Sequence, residues 1–488
     1  MDSDQQCSVL RAQSHTSAVA VGHLANFACH VTSRSARFTY PLCVSAAREM
    51  RASRHLLVAA VATRFALGSA DLLPCDAGSC PLAIEPEWVK AFPLGDTPGE
   101  LWLNYGASPD TMVVFWATSN KTAGSQVQLG TAPGAYSATV EGNATTYTYP
   151  PLYTSPLLHH AWLTGLSLNT TYYYRVGDAA AWSAEASFVS SPGVGASAAF
   201  FPRTIGVIAD VGESLDAINT VAHMQARLSI IDELIIAGDL SYASGCERTL
   251  CPVWDAFGGL MQPLSSARPF AINIGNHELA DDANGIPAIS TQYRYGAGMP
   301  HGGRADGALY FSWEAGPAHY ISLCSFIAGG FGAAQPISQW LVADLQGVDR
   351  SKTPWLIVIV HAPPYNSNTA HQGEGEPLRV AYEPLFTAHK VSILFSGHVH
   401  AYQRSHPVTN NGTVQADGQG TVYLNIGDGG ASLYTEWLPA PTWSAFQSAE
   451  FGLGHLTLLS PTTAHWGWYR NADNATVETD AVIIKNFS

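Results

Sequence analysis

The sequence predicts a β-sandwich followed by a larger α/β domain, because the spacing of its apolar residues changes abruptly near Pro202. From about Glu85 to Ser190, short runs of alternating apolar residues are broken by Gly, Pro, Ser and Asn. That is the pattern of an antiparallel sandwich half exposed to water. After Pro202 the apolar runs become nearly continuous and alternate with helix-like stretches, as in sheets covered by helices.

The first region holds six expected strands: Glu100–Tyr105, Met112–Trp116, Gln126–Leu129, His160–Leu163, Tyr172–Val176 and Ala186–Val189. Trp116, Leu166, Tyr172 and Tyr174 read as its core, and nothing in it reads as catalytic. The Gly-, Ser- and Ala-rich stretch Pro192–Phe200 reads as a linker. Beyond it the strands Ile205–Ala209, Leu234–Ala237, Phe270–Ile274, Tyr320–Leu323, Leu356–Val360, Val391–Phe395 and Val422–Ile426 are expected. Helices are expected over Asp216–Leu228, Ile337–Leu345 and Arg379–Ala388. No internal repeat interrupts the order.

Composition bounds the function. A net charge of −15 argues against nucleic acid, whose binding requires Lys and Arg to neutralise phosphates. It leaves small phosphate esters open, because bound metal ions dominate a local field whatever the global charge. Only 12% of residues are charged, so glycans would add useful solubility. N-x-S/T sequons stand at Asn120, Asn143, Asn169, Asn411 and Asn474, with a sixth at Asn486 near the end. Residues 1–49 read as a leader or a misplaced start. Residues 50–70 read as a signal peptide: a basic Met50–His55, a short apolar run Leu56–Thr63, then Ala66-Leu67-Gly68-Ser69-Ala70. No apolar run reaches the ~20 residues of a membrane-spanning helix. Cys75/Cys80 and Cys246/Cys251 each close a small Gly-containing loop and read as disulfides of an oxidising compartment. Cys324, in a strand-like run, reads as a buried thiol.

The chemistry lies at the ends of the α/β strands, where such folds bind ligands. Asp210-Val211-Gly212, Gly238-Asp239-Leu240-Ser241-Tyr242, Gly275-Asn276-His277-Glu278, His361 and Gly397-His398-Val399-His400 each follow a strand. A strand-end Asp is usually a turn former, and a lone His is usually just hydrogen-bonded. Five such motifs in series are a different matter. In an extended segment His398 and His400 would point the same way, and Gly397 would leave room for close backbone approach. Oxygen and imidazole donors without thiolate suit Fe, Zn or Mn, and an anionic Tyr oxygen suits trivalent iron. Seven donors divide between two ions if Asp239 bridges them, and a metal pair ~3.5–4 Å apart clamps a phosphoryl group.

The series Asp-x-Gly, Gly-Asp-x-x-Tyr, Gly-Asn-His-Glu, His and Gly-His-x-His resembles that of the purple acid phosphatases within the calcineurin-like metallophosphoesterases. Thr164–Tyr174 resembles the fibronectin-III-like N-terminal domain of the plant-type, high-molecular-weight members, and Phe451–Tyr469 resembles their C-terminal segment. The resemblance implies a fibronectin-III-like domain over 85–191 and an α/β/α metallophosphoesterase domain over 202–430, built on a two-sheet core. A segment over 445–485 would complete it. It also implies an acid phosphatase that cleaves phosphate monoesters with a metal-bound hydroxide at an Fe(III)–M(II) centre, M being Zn, Mn or Fe. Asp210, Tyr242 and His400 would hold Fe(III), Asn276, His361 and His398 the divalent ion, and Asp239 would bridge. His277 and His371 would face the substrate, one of them protonating the leaving group, with Glu374 orienting His371 and Glu278 supporting His277. Some members carry two adjacent His where this chain has Ala370-His371.

Rival readings are a phosphodiesterase or nucleotide pyrophosphatase on the same metals, with specificity in the loops Ser244–Trp254, Asp281–Gly303 and Ser367–Glu376, or a redox role for an iron pair. A catalytically dead cell-surface binding protein would show gaps in the ligand series, and there are none. The expected setting is secreted, or vacuolar or lysosomal, with a homodimer as a candidate assembly.

Overall fold

Seven consecutive residues, Met112–Thr118, are buried without a break, which an antiparallel strand with one wet face cannot be. The explanation is a second covering layer. In this computed structural model, residues 94–95, 97–119, 124–149, 153–243, 253–279, 288–296 and 309–487 are described. The signal-peptide reading and Asn120 lie outside them. So do Cys75 and Cys80, and Cys246 and Cys251, so neither expected disulfide is part of the described structure. Cys324 is the free cysteine among the described residues, and it is buried, as expected.

The N-terminal domain is two antiparallel sheets of four strands. Its strands are β1 (Gly99–Tyr105), β2 (Met112–Thr118), β3 (Gln126–Gly130), β4 (Ala138–Glu141), β5 (Asn143–Thr145), β6 (Thr148–Tyr149), β7 (Tyr153–Thr154), β8 (Leu157–Leu163), β9 (Thr171–Gly177) and β10 (Ala186–Val189). One sheet runs β1-β2-β8-β5, the other β10-β9-β3-β4, and β6 pairs with β7 separately. All six expected strands form. β1 meets the next domain at helix Val253–Ser265, where Ser265 Oγ donates to Leu101 O at 2.6 Å, and at the strand that begins with Phe270, whose carbonyl accepts from Trp102 Nε1 at 3.0 Å. The two domains therefore share a buried seam, and β1 and β2 read as apolar on both faces.

The linker is docked too. Gly195 N–H donates to Gly316 O and Gly316 N–H to Gly193 O, at 2.9 and 2.8 Å. It leads into β11 (Arg203–Ile208), β12 (Glu233–Ile236) and β13 (Phe270–Ile272), which run parallel. The second sheet begins with β14 (Tyr310–Ala315), β15 (Ala318–Leu323), β16 (Trp355–Ile359) and β17 (Ile393–Ser396). Then come β18 (Tyr402–Ser405), the small hairpin β19 (Val408–Thr409) and β20 (Thr413–Val414), β21 (Val422–Ile426) and β22 (Ser444–Ser448). The chain returns to the first sheet with β23 (Gly452–Ser460), β24 (Thr463–Arg470) and β25 (Glu478–Lys485). The sheets read β13-β12-β11-β23-β24-β25 and β14-β15-β16-β17-β21-β18-β22.

The two sheets face each other through aromatic rings. Tyr402 of β18 stacks on Trp468 of β24 at 4.4 Å, and Phe395 of β17 meets Trp466 at 5.5 Å. Helix Leu215–Ala226, capped by Ser214 accepting from Ala217 N–H, turns Ala217, Ile218, Val221 and Met224 inward against the first sheet. Helices Pro336–Gly347 and Glu376–Ala388 meet through Ser338 Oγ and Tyr382 OH, 2.8 Å apart. The fold is thus the one expected: a sandwich followed by two facing sheets with helices. Parallel β11, β12 and β13 in one sheet and β16 and β17 in the other end on the same side, above the core.

Candidate metal centre

After β11, β12 and β17 the polypeptide turns sharply. Asp210, Asp239, Tyr242 and His398 have φ of +54°, +52°, +56° and +68°, and His371 has +52°. Each left-handed non-glycine residue costs about 1–3 kcal/mol, and so many in one place mark a site the surrounding fold holds under strain. Asp210 N–H, Val211 N–H and Gly212 N–H donate in turn to the carbonyls of Gly238, Asp239 and Leu240, lacing the first two loops together.

Three groups of donor atoms result among the described residues, and two of them share Asp239: Asp210, Asp239 and His400 in the first, Asp239, His361 and His398 in the second, while His371, Glu374 and His398 form a third beside them. Tyr242 joins the first. Its hydroxyl lies 2.9 Å from both Asp210 Oδ1 and His400 Nε2, which are 3.3 Å from each other. In the second set His361 Nδ1–H donates to Ala237 O at 2.7 Å, which directs the lone pair of Nε2 into the site. That nitrogen sits 3.0 Å from Asp239 Oδ2. Two lone-pair atoms buried face to face need a cation between them, either a proton or a metal ion. Asn276 Oδ1 is buried and has no hydrogen-bond donor among the described residues, a further oxygen awaiting a partner. Asp210, Asp239, Tyr242, His361, His398 and His400 are therefore together, and their oxygen and imidazole donors suit metal ions with a carboxylate in common.

The charged groups of the site press strongly on one another. Burial alone would lower His361, but Asp239 and Asp210 overcome it and push the imidazole up to about 10. Burial would raise Asp239, yet His361 and then His277 hold it well below the carboxylate range. Burial, then the charges of Asp210 and Asp239, push the Tyr242 phenol well above its usual value. A phenolate there calls for a strongly charged ion. Burial, then His361 and His371, lowers His398 to about 4 and keeps it the neutral imidazole that ligates metals.

Two expectations need correcting. His398 and His400 do not lie in an extended segment. β17 stops at Ser396, and Val399 N–H donates to Gly397 O and Ala401 N–H to Val399 O, both at 2.7 Å. These are successive three-residue turns, one centred on each His, and the first with φ +68° is the rare strained form. The turns aim the two imidazoles at the two donor sets separately. Glu278, for its part, does not support His277. Buried within the loops, its carboxylate accepts from the N–H groups of Asp239, Leu240 and Gly275 at 2.9, 2.8 and 2.9 Å. Its service is to the loop of the shared carboxylate.

Glycine is required where the loops touch. A Cβ on Gly397 would lie 2.3 Å from Asp210 Oδ2, and one on Gly275 would lie 2.1 Å from Asp239 Oδ1 and 2.7 Å from Asp239 N. Backbone cannot retreat as a side-chain tip can. Gly275→Ala is expected to destabilise the protein by about 1–3 kcal/mol and to weaken metal binding. Thermal unfolding and metal titration check this, and an unchanged metal affinity would contradict it.

The flanking groups are placed as follows. His277 N–H donates to Asp239 Oδ1 at 3.0 Å, and its half-buried ring lies 4.2 Å from that of Tyr242. His371 Nδ1 lies 2.9 Å from Glu374 Oε1, and Glu374 Oε2 lies 2.7 Å from His398 Nε2. The carboxylate thus holds both imidazoles, leaving Nδ1 of His398 for an ion.

Three stretches of the chain match family models in order. Residues 98–190 match the purple acid phosphatase N-terminal domain, 203–402 the calcineurin-like phosphoesterases, and 420–479 the iron/zinc purple acid phosphatase-like C-terminal region. The chain is 38% identical over 382 residues to purple acid phosphatase 18 of Arabidopsis thaliana, covering 76% of this chain and 81% of that one. It belongs to the purple acid phosphatases. As such it is a phosphatase of the metallophosphoesterase superfamily with a binuclear metal centre. The phosphoenolpyruvate phosphatase of Allium cepa is 35% identical over 392 residues, 77% of this chain and 79% of that one. The fold is also that of a purple acid phosphatase from yellow lupin seeds, at 24% identity and a TM-score of 0.71, covering 80% and 74% of the two chains.

Within this purple acid phosphatase the sequence motifs pass over two residues. Ser432 Oγ lies 2.6 Å from His400 Nδ1 and fixes that ring. Tyr434 stacks on His400 and reaches His371. Both sit in a loop after Gly430 that carries no recognisable spacing. Of the sequons, Asn143, Asn169, Asn411 and Asn474 are exposed, whereas the Asn486 amide is buried and donates to Pro354 O and Pro461 O.

Proposed function

We propose that this phosphatase hydrolyses phosphate monoesters at an Fe(III)–M(II) pair, M being Zn, Mn or Fe, with Asp210, Tyr242 and His400 on the iron, Asn276, His361 and His398 on the divalent ion, and Asp239 shared. The observation that carries the reading is the pair of donor sets meeting at Asp239, with Tyr242 2.9 Å from both Asp210 and His400. A relative named for an Fe(3+)–Zn(2+) centre, from Arabidopsis thaliana, is 34% identical over 392 residues. Bound there, the metal pair would supply Lewis acidity, neutralising charge on a phosphoryl group and acidifying water.

The chain's own residues do the rest. Burial lowers His277, against the pull of Asp239, and its ring beside Tyr242 can donate an N–H to a phosphate oxygen. His371, fixed at Nδ1 by Glu374 and with Nε2 3.2 Å from the Tyr434 hydroxyl, is the better placed to give a proton to the leaving oxygen. The strained turns hold these groups before the substrate arrives, so little ordering is left to the reaction itself.

Monoesters are favoured over diesters on the strength of the relatives' names, phosphoenolpyruvate being a monoester. Rates on the mono- and bis-4-nitrophenyl esters of phosphate test this. A faster reaction on the diester would overturn the preference while leaving the metal chemistry intact. The same reading places the protein outside the cell or in a vacuole or lysosome, with glycans on Asn143, Asn169, Asn411 and Asn474. A mass decrease on treatment with a glycosidase is the expected result.

A further inference from the structure

Tyr434 makes a dense set of contacts to the centre without belonging to the ligand series. Its N–H donates to His400 O at 2.9 Å, and its ring lies 4.6 Å from the His400 ring at 14°, a stacked pair. Its carbonyl accepts from Asn368 Nδ2 at 2.8 Å, and its hydroxyl lies 3.2 Å from His371 Nε2. Asn368 is fully buried, and its Oδ1 accepts from Ala370 N–H at 3.0 Å. Thr369 N–H donates to Glu436 O, and Leu438 N–H to Ser367 O, both at 2.9 Å. The loop of His371 and the loop of Tyr434 are thus one laced unit, so the approach of hydroxyl to imidazole is set by backbone and not by a free side chain.

A chain of contacts follows: Tyr434 OH to His371 Nε2, His371 Nδ1 to Glu374 Oε1, and Glu374 Oε2 to His398 Nε2. One end of it is the phenol that stacks on His400, in the first donor set, and the other end is His398, in the second. The small side chain at Ala370, half-buried beside His371, contributes no polar group of its own.

We propose that Tyr434 is a positioning residue for the leaving-group side of the reaction, its hydroxyl holding the His371 ring in line while its ring fixes the plane of His400. A hydroxyl suits the task because it both donates and accepts. It keeps its bond to Nε2 whether or not that nitrogen carries a proton, and it yields to a substrate oxygen without leaving a buried charge. The proposal rests on the reading of His371 as the substrate-facing acid.

The test compares Tyr434→Phe, Tyr434→Ala and His371→Ala on 4-nitrophenyl phosphate and on an alkyl phosphate, whose poorer leaving group needs a proton more. Tyr434→Phe keeps the stack and loses the hydroxyl. It is expected to lower kcat on the alkyl ester about fivefold, with little change on the nitrophenyl ester, an unchanged thermal midpoint and an unchanged visible spectrum. Tyr434→Ala is expected in addition to weaken iron retention roughly tenfold, because the His400 ring loses its neighbour. Equal kcat losses on both esters, or none on either, for Tyr434→Phe would overturn the proposal. If His371→Ala also fails to discriminate between the esters, the reading of His371 falls with it. If His371→Ala discriminates and Tyr434→Phe does not, only the role of Tyr434 is lost.

Discussion

Asp239→Asn is expected to abolish activity by roughly a thousandfold or more and to empty the centre of both ions together. The reason is that its two oxygens are spent differently. Oδ2 faces the lone pair of His361 Nε2 at 3.0 Å, while Oδ1 accepts the N–H of His277 at 3.0 Å. Asp239 is buried and is the residue common to both donor sets. An amide offers one neutral oxygen and points an NH2 group at whatever cation lies on the other side. The backbone should tolerate the change, since Asn accepts the left-handed region as readily as Asp. Metal analysis and kcat on a chromogenic monoester decide the matter. A variant that retains two metal equivalents per chain and an appreciable fraction of the rate would show that Asp239 is not shared.

Glu278→Ala should be the most damaging substitution that touches no substrate and no ion. Three N–H groups, those of Asp239, Leu240 and Gly275, end on this one carboxylate inside a dry loop junction. A buried donor left without an acceptor costs about 1–3 kcal/mol. Allowing for relaxation and an entering water, the loss is of order 3–5 kcal/mol. Burial, and then the Asp239 charge, push Glu278 up to about 8, against the pull of those donors. Glu278→Gln therefore gives the informative contrast. It keeps shape and one acceptor oxygen but turns an NH2 toward at least one donor, so its stability should fall between wild type and Ala. Calorimetry with metal titration checks both variants. Full stability for Glu278→Ala would mean that the Asp239 loop is held by something else.

Much of the architecture was legible because the apolar pattern differs between the two domains. Met112–Trp116 and Leu356–Val360 announce strands by being apolar throughout, and the chain obeys them. Strands such as β14 carry polar and charged residues, as in Ser312 and Glu314, and do not stand out from their surroundings. Donor types were equally plain, since Asp, Asn and His recur after each strand. How they converge was not. The paired three-residue turns at His398 and His400 are held from β21, where Asn425 Nδ2 donates to the carbonyls of Val399 and Ala401, so the local sequence suggested an extended segment and was wrong. Glu278 misled for a related reason. Adjacent to His277 in sequence, it turns the opposite way, into a junction formed by residues nearly 40 positions upstream. Tyr434 left no trace at all, because its partners come from loops about 30 and 60 residues before it.

The central claim is a two-metal centre in which Tyr242 ligates a trivalent iron. The direct measurement is the visible absorption spectrum of the purified protein beside that of Tyr242→Phe, with metal analysis of both. A broad visible band is expected in the wild type, with one iron and one divalent ion per chain, and its disappearance in Tyr242→Phe even where iron is retained. A colourless wild-type protein lacking iron, or a Tyr242→Phe variant that keeps the band, would contradict it.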